Sequence, residues 1–135
     1  MTASIIYTGN LRCEALHNQS NSQIETDAPT DNRGKGERFS PTDLTSVSLA
    51  TCMLTTMAIK STDLGVDLTN AKASVTKHMG SDPRRIVKIE VEVSLPAEAS
   101  EKNRIILERS SNYCPVAKSL HPDIELDLRY SWLIS

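Results

Sequence analysis

The sequence predicts a single α+β domain over residues 1–135, with the order β-β-β-α-β-β-α-α-β and a long buried central helix. Three observations predict this class. An uncharged stretch from Leu44 to Ile59 follows a helix-start signal, and apolar residues alternate at 87–95. Strand patterns are also grouped before and after the helix instead of alternating with helices. The chain length suits one domain with a substantial core.

The first third of the chain predicts three short strands and a loop. Residues 4–8 are a β-type run that ends at a Gly-Asn turn signal, and residues 11–16 alternate as a second strand. Residues 22–27 predict a weaker third strand. The segment 28–39 contains a proline, two glycines and mixed charges, so we expect a loop there.

The central helix is predicted to begin at Pro41 and to end near Gly65. Ser40 can cap the free backbone amides, Pro41 suits the first helical position, and Asp43 completes a capping box. Glycine is the expected residue at the other end. No face of the uncharged stretch is suited to bulk water, so we expect the helix to be buried within the protein or against a partner subunit. The stretch is too short and too rich in Ser and Thr to span a bilayer.

The second half predicts two strands, two helices and a last strand. The runs 68–79 and 87–95 are expected to form a hairpin with one face on the core. Residues 96–112 are predicted to be helical. A short helix is expected to begin at Cys114-Pro115, and residues 124–132 alternate as the final strand.

Composition excludes several classes of function. A formal charge of -2, a pI near 5.9 and the absence of a Lys or Arg run give no basic surface for nucleic acid. The N-terminus lacks the features of a signal peptide, so a cytoplasmic location is expected. Scattered histidines without a Cys-x-x-Cys motif argue against zinc. We therefore expect no metal, no cofactor and no membrane contact.

Two of the three cysteines are candidates for chemistry. A lone cysteine on an apolar helix, such as Cys52, is usually an inert core residue. Cys114 precedes a proline at a helix start, where unpaired amides and the helix dipole favour a thiolate. The spacing leaves open whether the two thiols meet. Cys13, beside Arg12 on a strand, is expected to be a core or edge residue.

Two segments resemble a known family. Residues 41–44, with Cys52 further along a helix of small residues, resemble the signature of the OsmC/Ohr family of osmotically inducible and organic hydroperoxide resistance proteins. The segment 114–120, followed by 124–127, is similar to the family's resolving-cysteine segment and final strand. The resemblance covers nearly the whole chain.

The resemblance implies a thiol peroxidase that reduces organic hydroperoxides. Cys52 would attack the peroxide and become a sulfenic acid, and Cys114 would capture it as a disulfide. A sulfenic acid without a second thiol is open to irreversible overoxidation, which fits this pairing. An external thiol or a lipoyl-type reductant would then reopen the disulfide.

The family also implies a cation, because only a thiolate attacks well and a nearby cation lowers the pKa of a thiol. The family's arginine corresponds to Arg12, with Arg33 and Arg38 as alternatives. Relatives orient this arginine with a carboxylate at the helix head, usually a glutamate. Thr42 and Asp43 stand there in this chain. Asp43 is the candidate, although it could be only the capping acid.

The helix geometry predicts an intertwined homodimer. Asp43 and Cys52 are separated by roughly 13 Å of helical rise and lie on opposite faces, so Asp43 cannot brace an arginine at the thiolate of its own chain. We expect Arg12 and Asp43 of one subunit to serve Cys52 and Cys114 of the other. The main alternative is a non-catalytic binding or scaffold module with the same fold. A cysteine hydrolase is a third hypothesis, with no local signature behind it.

Overall fold

The structure, a computed structural model, describes residues 1–133 and confirms the α+β class. The chain folds as two compact units, Met1–Thr45 and the part from Ser46 onward. The prediction of one domain over 1–135 stays a prediction. In chain order the elements are β1 (Ala3–Gly9), β2 (Arg12–His17), β3 (Gln23–Asp27), α1 (Pro41–Leu64), β4 (Lys72–Gly80), β5 (Arg85–Leu95), α2 (Glu101–Ser111), α3 (Pro115–Ser119) and β6 (Glu125–Trp132), with a 3-10 turn at Thr30–Asn32.

The first unit contains an antiparallel sheet in the order β1-β2-β3. Its β1–β2 turn has positive φ at both Asn10 (55°) and Leu11 (61°), the backbone that a tight two-residue hairpin turn requires. β2 is therefore the middle strand. Its first residue, Arg12, lies directly opposite Asp27, the last residue of β3.

The loop between β3 and α1 folds back on the end of β3. Gly34 permits this approach, because a Cβ atom there would lie 1.6 Å from the Ala28 carbonyl oxygen. The Gly34 amide donates to Pro29 O (2.9 Å) and the Gly36 amide donates to Ala28 O (3.3 Å). These bonds hold the loop next to the carboxyl end of β3.

α1 begins and ends as the sequence predicts. Ser40 Oγ accepts from the Asp43 amide (3.0 Å), and Asp43 Oδ2 accepts from the Ser40 amide (2.9 Å), which is the reciprocal capping box. The helix ends at Leu64, and Gly65 follows with φ +69°.

A single chain does not bury α1 on every side, and burial of the rest against a partner subunit stays a prediction. One face is buried, comprising Ser46, Leu49, Ala50, Met53, Met57 and Ser61. The opposite face is open, and Ile59 is 68 % exposed. The hydroxyls of Thr51 and Thr55 donate to Ser48 O (3.1 Å) and Thr51 O (2.8 Å). Because these hydroxyls hydrogen-bond to the backbone of the helix itself, such residues can lie on a buried or an exposed face. The sequence therefore does not show which face of α1 is buried.

The second unit contains a sheet in the order β4-β5-β6. β4 and β5 pair antiparallel, as the hairpin prediction requires, and β6 pairs parallel to β5 after a crossover that contains α2 and α3. Ile89, Val91 and Val93 of β5 are buried, while Glu92 and Ser94 are exposed. One face of this hairpin therefore lies on the core.

Two elements begin later than the sequence predicts. The strand expected from 68 begins at Lys72, because Ala71 donates to Leu68 O (2.9 Å) in a turn and Asn70 has φ +74°. The helix expected from 96 begins at Glu101, because Ser100 has extended backbone and caps the helix by accepting from the Asn103 amide.

The core of the second unit joins α1, the sheet and the α2–α3 segment. Its buried cluster includes Leu49, Met53 and Met57 of α1, together with Leu107 of α2 and the Cys114 side chain. The alternating apolar residues of β5 belong to the same cluster. The thiol of Cys114 is thus a core group.

We expect Leu107→Ala to lower the free energy of unfolding by about 2–5 kcal/mol, because it leaves a cavity where a fully buried leucine packed. Ile105→Ala is the matched control on the same helix, since Ile105 is 42 % exposed. Urea unfolding midpoints of the two variants and the wild type check this. Equal losses for both variants would contradict the packing described.

Candidate active site

The thiols of Cys52 and Cys114 are neighbours within the second unit. Cys52 lies in the third turn of α1, half-buried against the core, and Cys114 is fully buried at the start of α3. Cys52 packs against the core cluster that contains Cys114, and it is close enough to raise the pKa of the Cys114 thiol. Both are free thiols in this structure. The fold therefore brings Cys52 and Cys114 to the same part of the core.

The pKa of the Cys114 thiol is raised, although the backbone amides at the start of α3 favour a thiolate as the sequence predicts. Burial raises the pKa of the Cys114 thiol, and the neighbouring Cys52 raises it further. The Ala117 amide, which donates to Cys114 Sγ (3.4 Å), and the Val116 amide lower this pKa but do not offset burial. α3 has only five residues, so few aligned peptide dipoles act on the sulfur.

Arg12 and Asp27 form a two-point ion pair in the first unit. Arg12 Nε donates to Asp27 Oδ1 (2.7 Å) and Nη2 donates to Oδ2 (2.8 Å). Asp27 is only 2 % exposed, and its Oδ2 also accepts from the Glu37 amide (3.1 Å). The loop after β3 therefore helps to fix the carboxylate that fixes the guanidinium.

The charges of this pair perturb each other strongly. The hydrogen bonds from Arg12 hold the pKa of Asp27 below its ordinary value, although burial acts in the opposite direction. The bond to Asp27 raises the pKa of Arg12. Two further carboxylates lie near the guanidinium, with Glu25 at 3.7 Å from Nη1 and Glu37 at 3.9 Å from Nη2.

Asp27 is not among the residues that the sequence predicts for the site, because the family resemblance places the arginine's carboxylate at the head of α1. A signal was present in the hairpin register. Pairing β2 with β3 places Arg12 opposite Asp27, and opposite charges at facing positions of a sheet attract. That register depends on the turn between β2 and β3. The polar residues that follow residue 16 do not predict the type or length of this turn.

The other predicted site residues have different surroundings. Asp43 forms the capping box, and its action on an arginine stays a prediction. Arg33 is exposed with φ +68°, and Arg38 lies 3.7 Å from Glu25. Cys13 is half-buried on the middle strand β2, so it is not an edge residue.

Residues 1–133 contain no group of three His, Cys, Asp or Glu side chains placed to hold a metal ion. Over the same residues, no helix combines the length and the apolar character that crossing a membrane requires.

The fold and the site define an α+β protein with a dithiol, formed by one cysteine on a long helix and one at the start of a short helix. Residues 34–129 match the profile of the OsmC-like protein family. The chain therefore belongs to the OsmC-like family. A comparison with curated proteins finds no matching sequence.

Solved structures agree with this assignment. A protein from Psychrobacter arcticus 273-4, provisionally named as an osmotic stress induced and detoxification response protein, has 46% identity and a TM-score of 0.94, over 97% of this chain and 96% of that one. The organic hydroperoxide resistance protein OsmC of Legionella pneumophila has 14% identity and a TM-score of 0.72, over 97% of both chains. An organic hydroperoxide resistance protein of Elizabethkingia anophelis, with thiocyanate bound, has 14% identity and a TM-score of 0.76, over 98% and 97%. The last two show likeness of fold alone.

We expect Asp27→Asn to destabilise the protein near neutral pH and to lose this effect in acid. The folded-state pKa of Asp27 lies below its unfolded value. The ion pair therefore contributes its full stability above the unfolded pKa, about 3.9, and loses it as pH falls through the lower folded value. Urea midpoints from pH 7 down to about pH 3 should show the gap to wild type closing.

Glu25→Gln is the control for this series, because Glu25 lies 3.7 Å from Arg12 and makes no hydrogen bond to it. Its midpoint at pH 7 should stay close to wild type. A gap for Asp27→Asn that is constant across the series would contradict the ion-pair account.

Proposed function

We propose that this protein is a cysteine-based thiol peroxidase that reduces organic hydroperoxides. Cys52 is the attacking thiol and Cys114 the resolving thiol. The observation that carries the proposal is the placement of a half-buried and a fully buried thiol at the same core cluster of one chain. Family membership supports the chemistry, and the names of two structural relatives as organic hydroperoxide resistance proteins support the substrate class.

The proposed cycle has two steps at these sulfurs. The Cys52 thiolate attacks one peroxide oxygen, the S–O bond forms, the O–O bond breaks, and the alkoxide takes a proton and leaves as an alcohol. The Cys114 sulfur then attacks the sulfur of the Cys52 sulfenic acid. The S–S bond forms, and the Cys114 proton leaves with the hydroxyl group as water. The peroxide gains the two electrons that the two thiols lose.

The protonation state of Cys114 supports this division of roles. Its raised pKa keeps a second negative charge away from the Cys52 thiolate. The proton that Cys114 retains is also the one needed to make water in the second step. Closure of the disulfide requires the Cys114 thiol to give up this proton as its sulfur attacks, because the thiolate is the better nucleophile.

Arg12 is proposed as the cation that activates Cys52. Asp27 supports this assignment, because a guanidinium held at two points presents its remaining N–H groups in a fixed direction. Asp43 is proposed as the further carboxylate of the site. Arg33 and Arg38 are the alternatives to Arg12, and Arg38 lies beside the same Glu25.

A homodimer is proposed to assemble the site, with Arg12 and Asp43 of one subunit serving Cys52 and Cys114 of the other. Apolar side chains that a single chain leaves exposed support it, because exposed apolar area of this kind marks interaction surfaces. In the first unit these are Ile5, Ile6, Tyr7, Leu11, Ile24 and Phe39. The open face of α1, with Ile59, is a further such surface.

An external thiol or a lipoyl-type reductant is proposed to reopen the Cys52–Cys114 disulfide. The cycle then needs no bound cofactor, since both electrons come from protein thiols and are replaced by the reductant. A cytoplasmic setting is part of the proposal, because reducing compartments keep such thiols reduced between turnovers.

The second candidate is a non-catalytic binding or scaffold module with this fold. The carboxylates around Arg12 favour it, because Asp27, Glu25 and Glu37 together offset the charge that would lower the pKa of a thiol. Such a module would react with peroxide no faster than an ordinary cysteine does.

Stopped-flow reduction of cumene hydroperoxide tests the peroxidase. We expect Cys52→Ser to abolish peroxide consumption, and Cys114→Ser to keep the first turnover but to convert Cys52 to sulfinic acid. Wild-type protein treated with one equivalent should yield a Cys52–Cys114 disulfide by peptide mapping. Cumene hydroperoxide should react faster than hydrogen peroxide, because Met53, Leu49 and Met57 make the surroundings of Cys52 apolar.

Cys13→Ser is the control, and it should behave as wild type. A disulfide that contains Cys13, or equal or faster reduction of hydrogen peroxide, would contradict the assignment. A wild-type rate no higher than that of a free thiol would favour the non-catalytic module.

Subunit exchange tests the two-chain site. Arg12→Ala and Cys52→Ser proteins should each be inactive, and a mixed dimer should regain one working site of its two, because each parent supplies what the other lacks. Heterodimers are isolated with two different affinity tags and assayed with cumene hydroperoxide. An inactive heterodimer, or a fully active monomer, would overturn the shared site.

A further inference from the structure

A hydrogen-bonded cluster lies at the end of α2, close to Cys114. The Tyr130 hydroxyl of β6 forms a hydrogen bond with Ser111 Oγ and donates to Glu108 O (3.4 Å). Ser111 Oγ donates to Glu108 O at 2.7 Å, a normal distance for an O–H···O hydrogen bond. Ser111 is fully buried. The cluster therefore ties the last strand of the sheet to the last turn of α2.

The Glu108 carbonyl accepts from both hydroxyls of this cluster, since Ser111 Oγ donates to it and the Tyr130 hydroxyl donates to it as well. The two hydroxyls also hydrogen-bond each other, and either can be the donor. The phenol keeps its proton, because burial raises the pKa of Tyr130, although the bond with Ser111 acts in the opposite direction.

The same turn of backbone leads directly to Cys114. The Cys114 amide donates to Ser111 O (3.3 Å), so the residue that Tyr130 anchors by its side chain also anchors Cys114 by its backbone. α3 has only five residues, so it is too short to be stable without contacts to the rest of the protein. The Tyr130 phenol is also close enough to Cys114 for the two groups to interact electrostatically.

We propose that Tyr130 is a positioning residue for the resolving thiol: through Ser111 it holds the end of α2 so that Cys114 stays in the core cluster against which Cys52 packs. This inference rests on the proposed function. The step it serves is the attack of Cys114 sulfur on the Cys52 sulfenic acid, with release of water. Tyr130 exchanges no electrons or atoms in that step, and the attack on peroxide does not depend on it.

Tyr130→Phe tests this, because it removes the hydroxyl and keeps the ring. The readout is the partition of the Cys52 sulfenic acid between disulfide and sulfinic acid, measured by mass spectrometry over a range of cumene hydroperoxide concentrations. We expect the rate of disulfide closure relative to overoxidation to fall by about threefold to tenfold, the effect of losing one ordinary hydrogen bond. The rate of the first oxidation of Cys52 should be unchanged.

Tyr113→Phe is the matched control, since it removes the hydroxyl of an exposed tyrosine next to Cys114 in the chain. Its partition should equal that of wild type. Ser111→Ala is a second variant that breaks the same link, and it should shift the partition in the same direction. A merely structural role would lower the unfolding midpoint but leave the partition unchanged, because both fates start from the same folded sulfenic acid.

A wild-type partition in folded Tyr130→Phe and Ser111→Ala would overturn the inference and leave the peroxidase assignment intact. If the wild type itself consumes no peroxide, or forms no Cys52–Cys114 disulfide, the proposed function fails and this inference fails with it.

Discussion

The burial of one face of α1 in the core of the second unit is the constraint on which the position of both thiols depends. Leu49, Met53 and Met57 are fully buried there, and each such side chain contributes about 1.5–3 kcal/mol. A shift of α1 by one residue turns the helix by about 100° and exposes this face. Cys52 therefore has a fixed place at the margin of the core, and Leu107 brings the α2–α3 segment and Cys114 to the same core.

The difference in burial between the two thiols sets what each can do. A neutral thiol is cheap to bury, whereas a thiolate in an apolar core loses its hydration. Cys114 is fully buried and has a raised pKa, while Cys52 is half-buried. The accessible sulfur suits attack on an incoming molecule. The inaccessible sulfur suits only a reaction with a partner that is already inside the protein.

Sequence patterns predicted the elements whose cause is local. The capping box before α1 and the alternation in β5 each depend on neighbouring residues, and both were recovered. Contacts that depend on register or burial were not. Asp27 faces Arg12 only through the β2–β3 pairing, and Tyr130 meets Ser111 only through the parallel pairing of β6. The raised pKa of Cys114 could not be predicted, because a sequence does not show how deeply a sulfur atom is buried.

The Arg12–Asp27 pair limits how an arginine can act in a site of this kind. The field of a cation bound to a carboxylate falls off faster with distance than that of a lone charge, since the opposite charges cancel at long range. Within residues 1–133, Arg12 Nη1 lies 3.7 Å from Glu25, which is too long for a hydrogen bond, so its N–H groups are free to donate. Any influence of Arg12 on a sulfur or a peroxide oxygen must therefore come from direct contact. The orientation of the Arg12 N–H groups therefore matters more than the positive charge of the side chain. A lysine could not reproduce the planar two-point attachment to Asp27.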